Sequence, residues 1–202
     1  MNAVTTNIEQ CLGAVEVMRA PALRVHEDGV AVLCAALCGV LGLSPDYSAQ
    51  LRYAAALHDI GKVVIPDAIL NKPGPLDDGE WAVMRQHCRW GFNILRGAED
   101  ATVRLTANVV LHHHECWDGS GYPDGLAGEA IPREARIVGV CDVYHALRAT
   151  RPYRDPLTHE HALTMMLQGE GRMHPGQFDP LVLAAFGKNA GLMRDAYEAS
   201  VA

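Results

Sequence analysis

Between Asp28 and Asp46 the chain carries no charged side chain, and Leu, Val, Ala and Cys dominate the stretch from Gly29 to Pro45. Such a run is driven out of water, so it belongs in a bilayer or in the interior of a protein. A membrane-spanning helix needs about 20 apolar residues, and this run is shorter and contains glycine and serine. It also begins too far along the chain for a signal peptide. The stretch therefore predicts a buried core helix over 24–43, ending near Gly42. A helix that is apolar on all sides must be wrapped by other elements.

The composition allows that. Of 202 residues, 49% are apolar and 20% charged, which excludes a disordered chain. Aromatics are only 6%, so Leu, Val, Ala and Met must fill the core. The length suits one domain over 21–202 with an N-terminal helical extension over 1–20. Lys and Arg number 17 against 24 Asp and Glu, a net charge of −7. An acidic chain is a poor partner for a nucleic acid duplex, though a local basic pocket for a small phosphate ligand is compatible with it. Six cysteines lie mostly in apolar runs without a CxxC pair, the pattern of reduced thiols in a cytoplasmic protein.

The remaining pattern is helix after helix, so the expected fold is all-α. A helix is expected over 3–19. Another spans 46–60, with Ser44 as cap and Gly61 as terminator. Proline and glycine break the chain from 63 to 77, and Asp77 or Asp78 caps a helix over 78–96. Helices follow over 100–114 and 133–149, separated by an ordered Gly/Pro-rich loop over 116–132. Thr158 caps a helix over 159–169, and Asp179-Pro180 opens the last one. The β-branched stretch at 135–144 is the best strand candidate, but its flanks favour helix.

Ten histidines stand in this chain, and their placement carries the chemistry. His58-Asp59 closes one helix, with Lys62 on the same face as His58 if the helix runs on. His112-His113-His114-Glu115 closes another. His26 opens the apolar helix, His87 lies within a helix, and Asp142 sits in an apolar run where a carboxylate needs a partner or a metal. Imidazoles and carboxylates suit hydrolytic divalent metals. Two metals roughly 3.5–4 Å apart clamp the attacking and leaving oxygens of a phosphoryl displacement. Each residue also has a plainer reading. His26 or His87 alone fits a capping or surface histidine, His-Asp pairs arise by chance, three histidines fit a solvated helix end, and Asp142 fits a pair with Arg136. None of these accounts for the set together with the loop that follows it.

The segment His58-Asp59-Ile60-Gly61-Lys62, with His113-His114-Glu115-Cys116-Trp117-Asp118-Gly119-Ser120-Gly121-Tyr122-Pro123, closely resembles the HD-GYP branch of the HD phosphohydrolases. The likeness runs over roughly 22–186, through Ile65-Pro66-Asp67, Lys72-Pro73-Gly74, Glu80, Gly91, Gly125-Leu126, Ile131-Pro132 and Arg151-Pro152-Tyr153-Arg154. It implies a helical, metal-dependent phosphodiesterase that opens cyclic di-GMP to pGpG and, in some members, continues to GMP. Other members act on the mixed guanine–adenine cyclic dinucleotide. The implied cofactors are two divalent metal ions, iron or manganese.

Carried over by position, the resemblance implies one metal on His26, His58, Asp59 and Asp142. It implies a second on Asp59 as bridge with His87, His113 and His114. A hydroxide between them would attack phosphorus, with Lys62 on a phosphate oxygen. Arg151 and Arg154 would hold the ligand, and Tyr122 would shape the loop beside the site. Helix geometry alone does not choose among His112, His113 and His114; the family register leaves His112 spare. Members with three metals carry a Glu where this chain has Ala22, so a binuclear site is expected. His145 replaces an Asp that contacts nucleotide in the family, which makes it an expected substrate contact able to alter base preference and an alternative extra ligand. Competing readings are a catalytically weak cyclic-dinucleotide sensor and an HD hydrolase for another phosphate ester. A diguanylate cyclase or a sensor protein is an expected partner, and a homodimer through the N-terminal helix is a further expectation.

Overall fold

A computed structural model of the protein describes residues 21–150 and 155–201, and among them the regular elements are helices. The expected helix over 3–19, Arg151 and Arg154 lie outside the described residues. The uncharged run falls in α1 (Pro21–Val40), whose Val30, Leu33, Cys34, Leu37 and Cys38 are fully buried. Around it pack α2 (Pro45–Ala55), α7 (Arg133–Arg148), α9 (Pro180–Lys188) and α10 (Ala190–Val201). Ile137, Val138, Cys141 and Tyr144 of α7 complete this main core. Among the described residues, no helix is long and apolar enough to cross a membrane.

A second, smaller apolar cluster holds the other side of the molecule. Leu57 and Ile60 meet Leu95 of α5 (His87–Leu95) and Ala107 and Val110 of α6 (Ala101–His112). Short helices α3 (Asp67–Leu70) and α4 (Asp78–Met84) cover the Pro/Gly-broken stretch. The expected Gly/Pro-rich loop lies between α6 and α7, and α8 (His159–Gln168) precedes α9. Caps stand at Ser44, Asp77, Asp100, Thr158 and Asp179, each with a side-chain oxygen accepting a backbone N–H. Asp77 and Glu80 form a reciprocal capping box.

Three expected helices stop short or break, for a shared reason. The helix expected over 46–60 stops at Ala55, and the Ala55 carbonyl accepts from His58 Nδ1 at 2.7 Å. The helix expected over 78–96 divides after Met84, whose carbonyl accepts from His87 Nδ1 at 2.8 Å. The last expected helix divides at Asn189, whose side-chain amide donates to the Ala185 carbonyl at 2.9 Å. In each case a side chain takes a carbonyl near the end of the helical ladder. Lys62 lies in a 3-10 turn, Ile60–Val64, and His58 in the turn after α2, so no one helix carries both. Gly61 lies in the same turn and is no helix cap.

Candidate metal centre

Gly61 explains how the 3-10 turn reaches α5. A Cβ there would lie 1.9 Å from the His87 carbonyl oxygen and 2.6 Å from the Gly91 nitrogen. Only a residue without a side chain lets these two backbones touch. The contact sets Asp59 beside His87, with Asp59 Oδ1 3.3 Å from His87 Nε2 and 3.8 Å from His113 Nε2. The other oxygen, Oδ2, is 3.4 Å from His58 Nε2 and 2.5 Å from Lys62 Nζ. Across the site, Asp142 Oδ1 of α7 is 3.0 Å from His26 Nε2 and 3.8 Å from His58 Nε2.

The ligand-capable atoms gather into groups that share members. One group is Asp59, His87, His113 and His114; a second is His26, His58 and Asp59; a third is His58, His113 and Asp142. All seven expected metal ligands are thus brought to one place, and Asp59 belongs to both of the first two groups. Three of the histidines are oriented by the backbone. Nδ1 of His58 faces the Ala55 carbonyl, Nδ1 of His87 that of Met84, and Nδ1 of His113 those of Val109 and Val110. A proton on each Nδ1 leaves the Nε2 lone pair aimed at the centre. Among the described residues, His58 Nε2, His113 Nε2 and Asp59 Oδ1 are buried with no hydrogen-bond partner. Buried polar atoms without a partner are costly, and a divalent cation would satisfy all three. The donor set therefore fits transition metals that accept imidazole and carboxylate.

The electrostatics agree with a cation site. Burial pushes the Asp59 carboxyl up, but Lys62, His58 and His87 outweigh it and hold it well below the usual carboxylate range. Burial likewise opposes ionisation of Asp142, and the His26 hydrogen bond and nearby His58 overcome it, leaving it well below its ordinary value. Burial pushes His113 well down and His114 down to about 3, so both stay neutral. His58 differs. Burial lowers its affinity for a proton, yet Asp59, Asp142 and Glu27 raise it to about 9. Without a metal, the carboxylates hold a proton where a cation would sit.

The centre forms the floor of a cavity of about 600 Å³, open between α3, α4 and α7. Lys62, Lys72, Trp81 and Tyr122 share its walls with the ligands. The Tyr122 ring lies 4.8 Å from that of His114 at 31°, with Arg85 stacked on Tyr122 at 5.1 Å. Glu115 ties down the glycine-rich loop, its Oε1 accepting from Asp124 N at 2.7 Å and its Oε2 from Leu126 N at 3.0 Å. His112 turns away, toward Glu115 and Asp124. Arg136 pairs with Asp179 and not with Asp142. His145 does not line the cavity. It is buried, with its Nδ1 2.9 Å from His26 Nδ1.

Sequence reasoning passed over Trp81, which is 46% exposed on the cavity wall, and the buried carboxylate of Glu27. An exposed tryptophan is the usual signal of a contact surface, but exposure is not readable from sequence. Lys72 was visible only as part of a motif. Glu80 joins it at 2.5 Å and so fixes it to α4.

An HD domain family model matches residues 11–180. The cyclic di-GMP phosphodiesterase response regulator RpfG of Xanthomonas campestris is 48% identical over 69% of this chain and 36% of its own length. The 3'3'-cGAMP-specific phosphodiesterase 2 of Vibrio cholerae is 42% identical over 73% of this chain and 28% of its own. The chain thus spans about a third of the length of these relatives. The solved structure of Bd1817, an HDG"Y"P protein of Bdellovibrio bacteriovorus, superposes with a TM-score of 0.65 at 22% identity, over 82% of this chain and 51% of that one.

Proposed function

We propose that this chain, which belongs to the HD domain family and to its HD-GYP branch, is a metal-dependent phosphodiesterase that opens cyclic di-GMP to pGpG and carries some product on to GMP. The observation that carries the proposal is the sharing of Asp59 between two ligand groups on the floor of one cavity. His26, His58, Asp59 and Asp142 would hold one divalent ion, and Asp59, His87, His113 and His114 the other, iron or manganese in each case. Bound there, the ions would supply water activation and charge neutralisation at phosphorus.

The chain's own groups supply the rest. Lys62 and the imidazoles overcome the cost of burial and hold the Asp59 carboxyl well below the usual carboxylate range. Lys62 Nζ lies at the edge of the centre with 22% of its side chain exposed, placed to meet a phosphoryl oxygen from the cavity. Tyr122 packs on the His114 ring and limits its rotation. Trp81 offers a flat apolar face for a guanine or adenine base. Arg151 and Arg154, carried over from the family motif, complete the substrate contacts in this proposal. Buried thiols at Cys34, Cys38, Cys88 and Cys141 suit a cytoplasmic setting, the location we assign.

The test is a turnover assay on the full chain, purified without oxygen and loaded separately with ferrous iron and manganese. Cyclic di-GMP and 3'3'-cGAMP are offered in parallel and followed by chromatography. The expected result is loss of cyclic di-GMP with pGpG or GMP appearing, and none with Asp59→Ala. Intact substrate in the presence of two bound metals per chain would overturn the proposal. Preferential loss of 3'3'-cGAMP would reassign the base specificity.

A further inference from the structure

We infer that His145 is a positioning residue of the metal centre, one that holds His26 in ligating orientation from behind. The inference rests on the reading of His26 as a metal ligand. Three ligand histidines turn Nδ1 onto a backbone carbonyl, as described above. His26 instead meets a second imidazole, with His26 Nδ1 2.9 Å from His145 Nδ1. His26 Nε2, on the opposite side of the ring, faces Asp142 Oδ1 at 3.0 Å. Asp142 and His145 stand three residues apart on α7, so one turn of one helix grips both nitrogens of His26.

His145 is itself confined. It is 1% exposed, its ring lies 5.1 Å from that of Tyr197, and Tyr197 is anchored by donating to the Arg148 carbonyl at 2.8 Å. Gly29, three residues after His26 on α1, also meets this ring. A Cβ at Gly29 would fall 2.2 Å from His145 Nε2 and 2.5 Å from its Cδ2. The absent side chain at Gly29 is the space the imidazole occupies. For His26 to bind a metal through Nε2 its Nδ1 must carry the proton, so His145 Nδ1 must be the acceptor. His145 therefore takes the part that a carbonyl takes for His58, His87 and His113. Removal of such an outer partner typically costs about 10- to 100-fold in metal affinity.

The test uses manganese alone, titrated into the metal-free full chain, with free ion followed by its solution EPR signal. His145→Leu fills the space without an acceptor. It is expected to weaken one of the two sites about 10- to 100-fold and leave the other as in the parent protein, which also reports that the chain is folded. His145→Asn keeps an acceptor and is expected to recover affinity to within about threefold. Gly29→Ala should weaken the same site by crowding His145, although alanine is otherwise the better helix former. Unchanged affinity at both sites in His145→Leu would overturn the inference. So would a raised KM at saturating manganese with unchanged metal binding, because that pattern belongs to a substrate contact. His26→Ala separates the premise from the inference: if it binds both ions as the parent does, His26 is no ligand and the inference falls with it.

Discussion

The two sides of the candidate metal centre are held in different ways. On the side of α5 and α6, His87 is fixed by the Met84 carbonyl at the end of α4 and His113 by carbonyls of α6, and the Gly61 backbone rests on that of His87. On the side of α1 and α7, His26 is fixed by side chains alone, Asp142 at one nitrogen and His145 at the other. A carbonyl is present whatever the residue, so the first side depends on where the helices end. The second depends on which side chains α7 presents, and a single substitution can retune it. One cluster thus combines histidines held by the backbone with a histidine whose setting is open to adjustment.

The sharpest way to break that comparison is to remove one ligand from each side. His87→Ala and His26→Ala should each lower metal content from two ions per chain to one, with turnover reduced on the order of a thousandfold. Elemental analysis of the purified variants checks the stoichiometry, and two ions retained in either would remove that histidine from its set. Lys62→Met tests the boundary between the sides. Both ions should stay, while kcat for cyclic di-GMP falls by about 10²–10³, so a loss of metal would show Lys62 to be structural.

A pH series probes the junction. His58 keeps a proton up to about pH 9 in the metal-free protein, and a metal binds only the unprotonated nitrogen. Binding at pH 7 must therefore expel that proton. Apparent manganese affinity should rise by about tenfold per unit from pH 7 toward 9 and level off above it. A flat profile in anaerobic titrations would contradict this. The smallest expected effect lies outside both sides: Trp81→Ala should leave metal content alone and raise KM by about tenfold through lost base stacking. Quenching of Trp81 fluorescence by substrate, absent in the variant, is the direct check.

Much of this was legible in the chain, and what was not has physical causes. The uncharged run ahead of Asp46 could only be core, and it is. The seven residues from His26 to Asp142 that gather at the candidate centre were readable because the family resemblance carried them by position. The ends of α2 and α4 were not, because imidazoles of His58 and His87 take the carbonyls that the next helical turn would have used. Helix propensity contains no such competition. The substrate contact expected at His145 came from the resemblance, at a position three residues after Asp142. That spacing rotates a side chain by about 60° around the helix axis. Its direction decides the outcome: Val143, Ala146 and Leu147 line the cavity with Asp142, while His145 turns to the other side and meets His26 Nδ1 at 2.9 Å.

The contact at Gly61 has a consequence for tolerance. A ligand carried on a long side chain inherits the play of every torsion between it and the backbone. Here the main chain of the Asp59 turn is butted against the main chain of α5, with no room for a methyl group between them. The distance between Asp59 and His87 is therefore set by a hard stop, as a machined shoulder locates a shaft. What freedom remains belongs to the rotation of imidazole rings, and on this side of the centre a peptide carbonyl holds each of those of His58, His87 and His113.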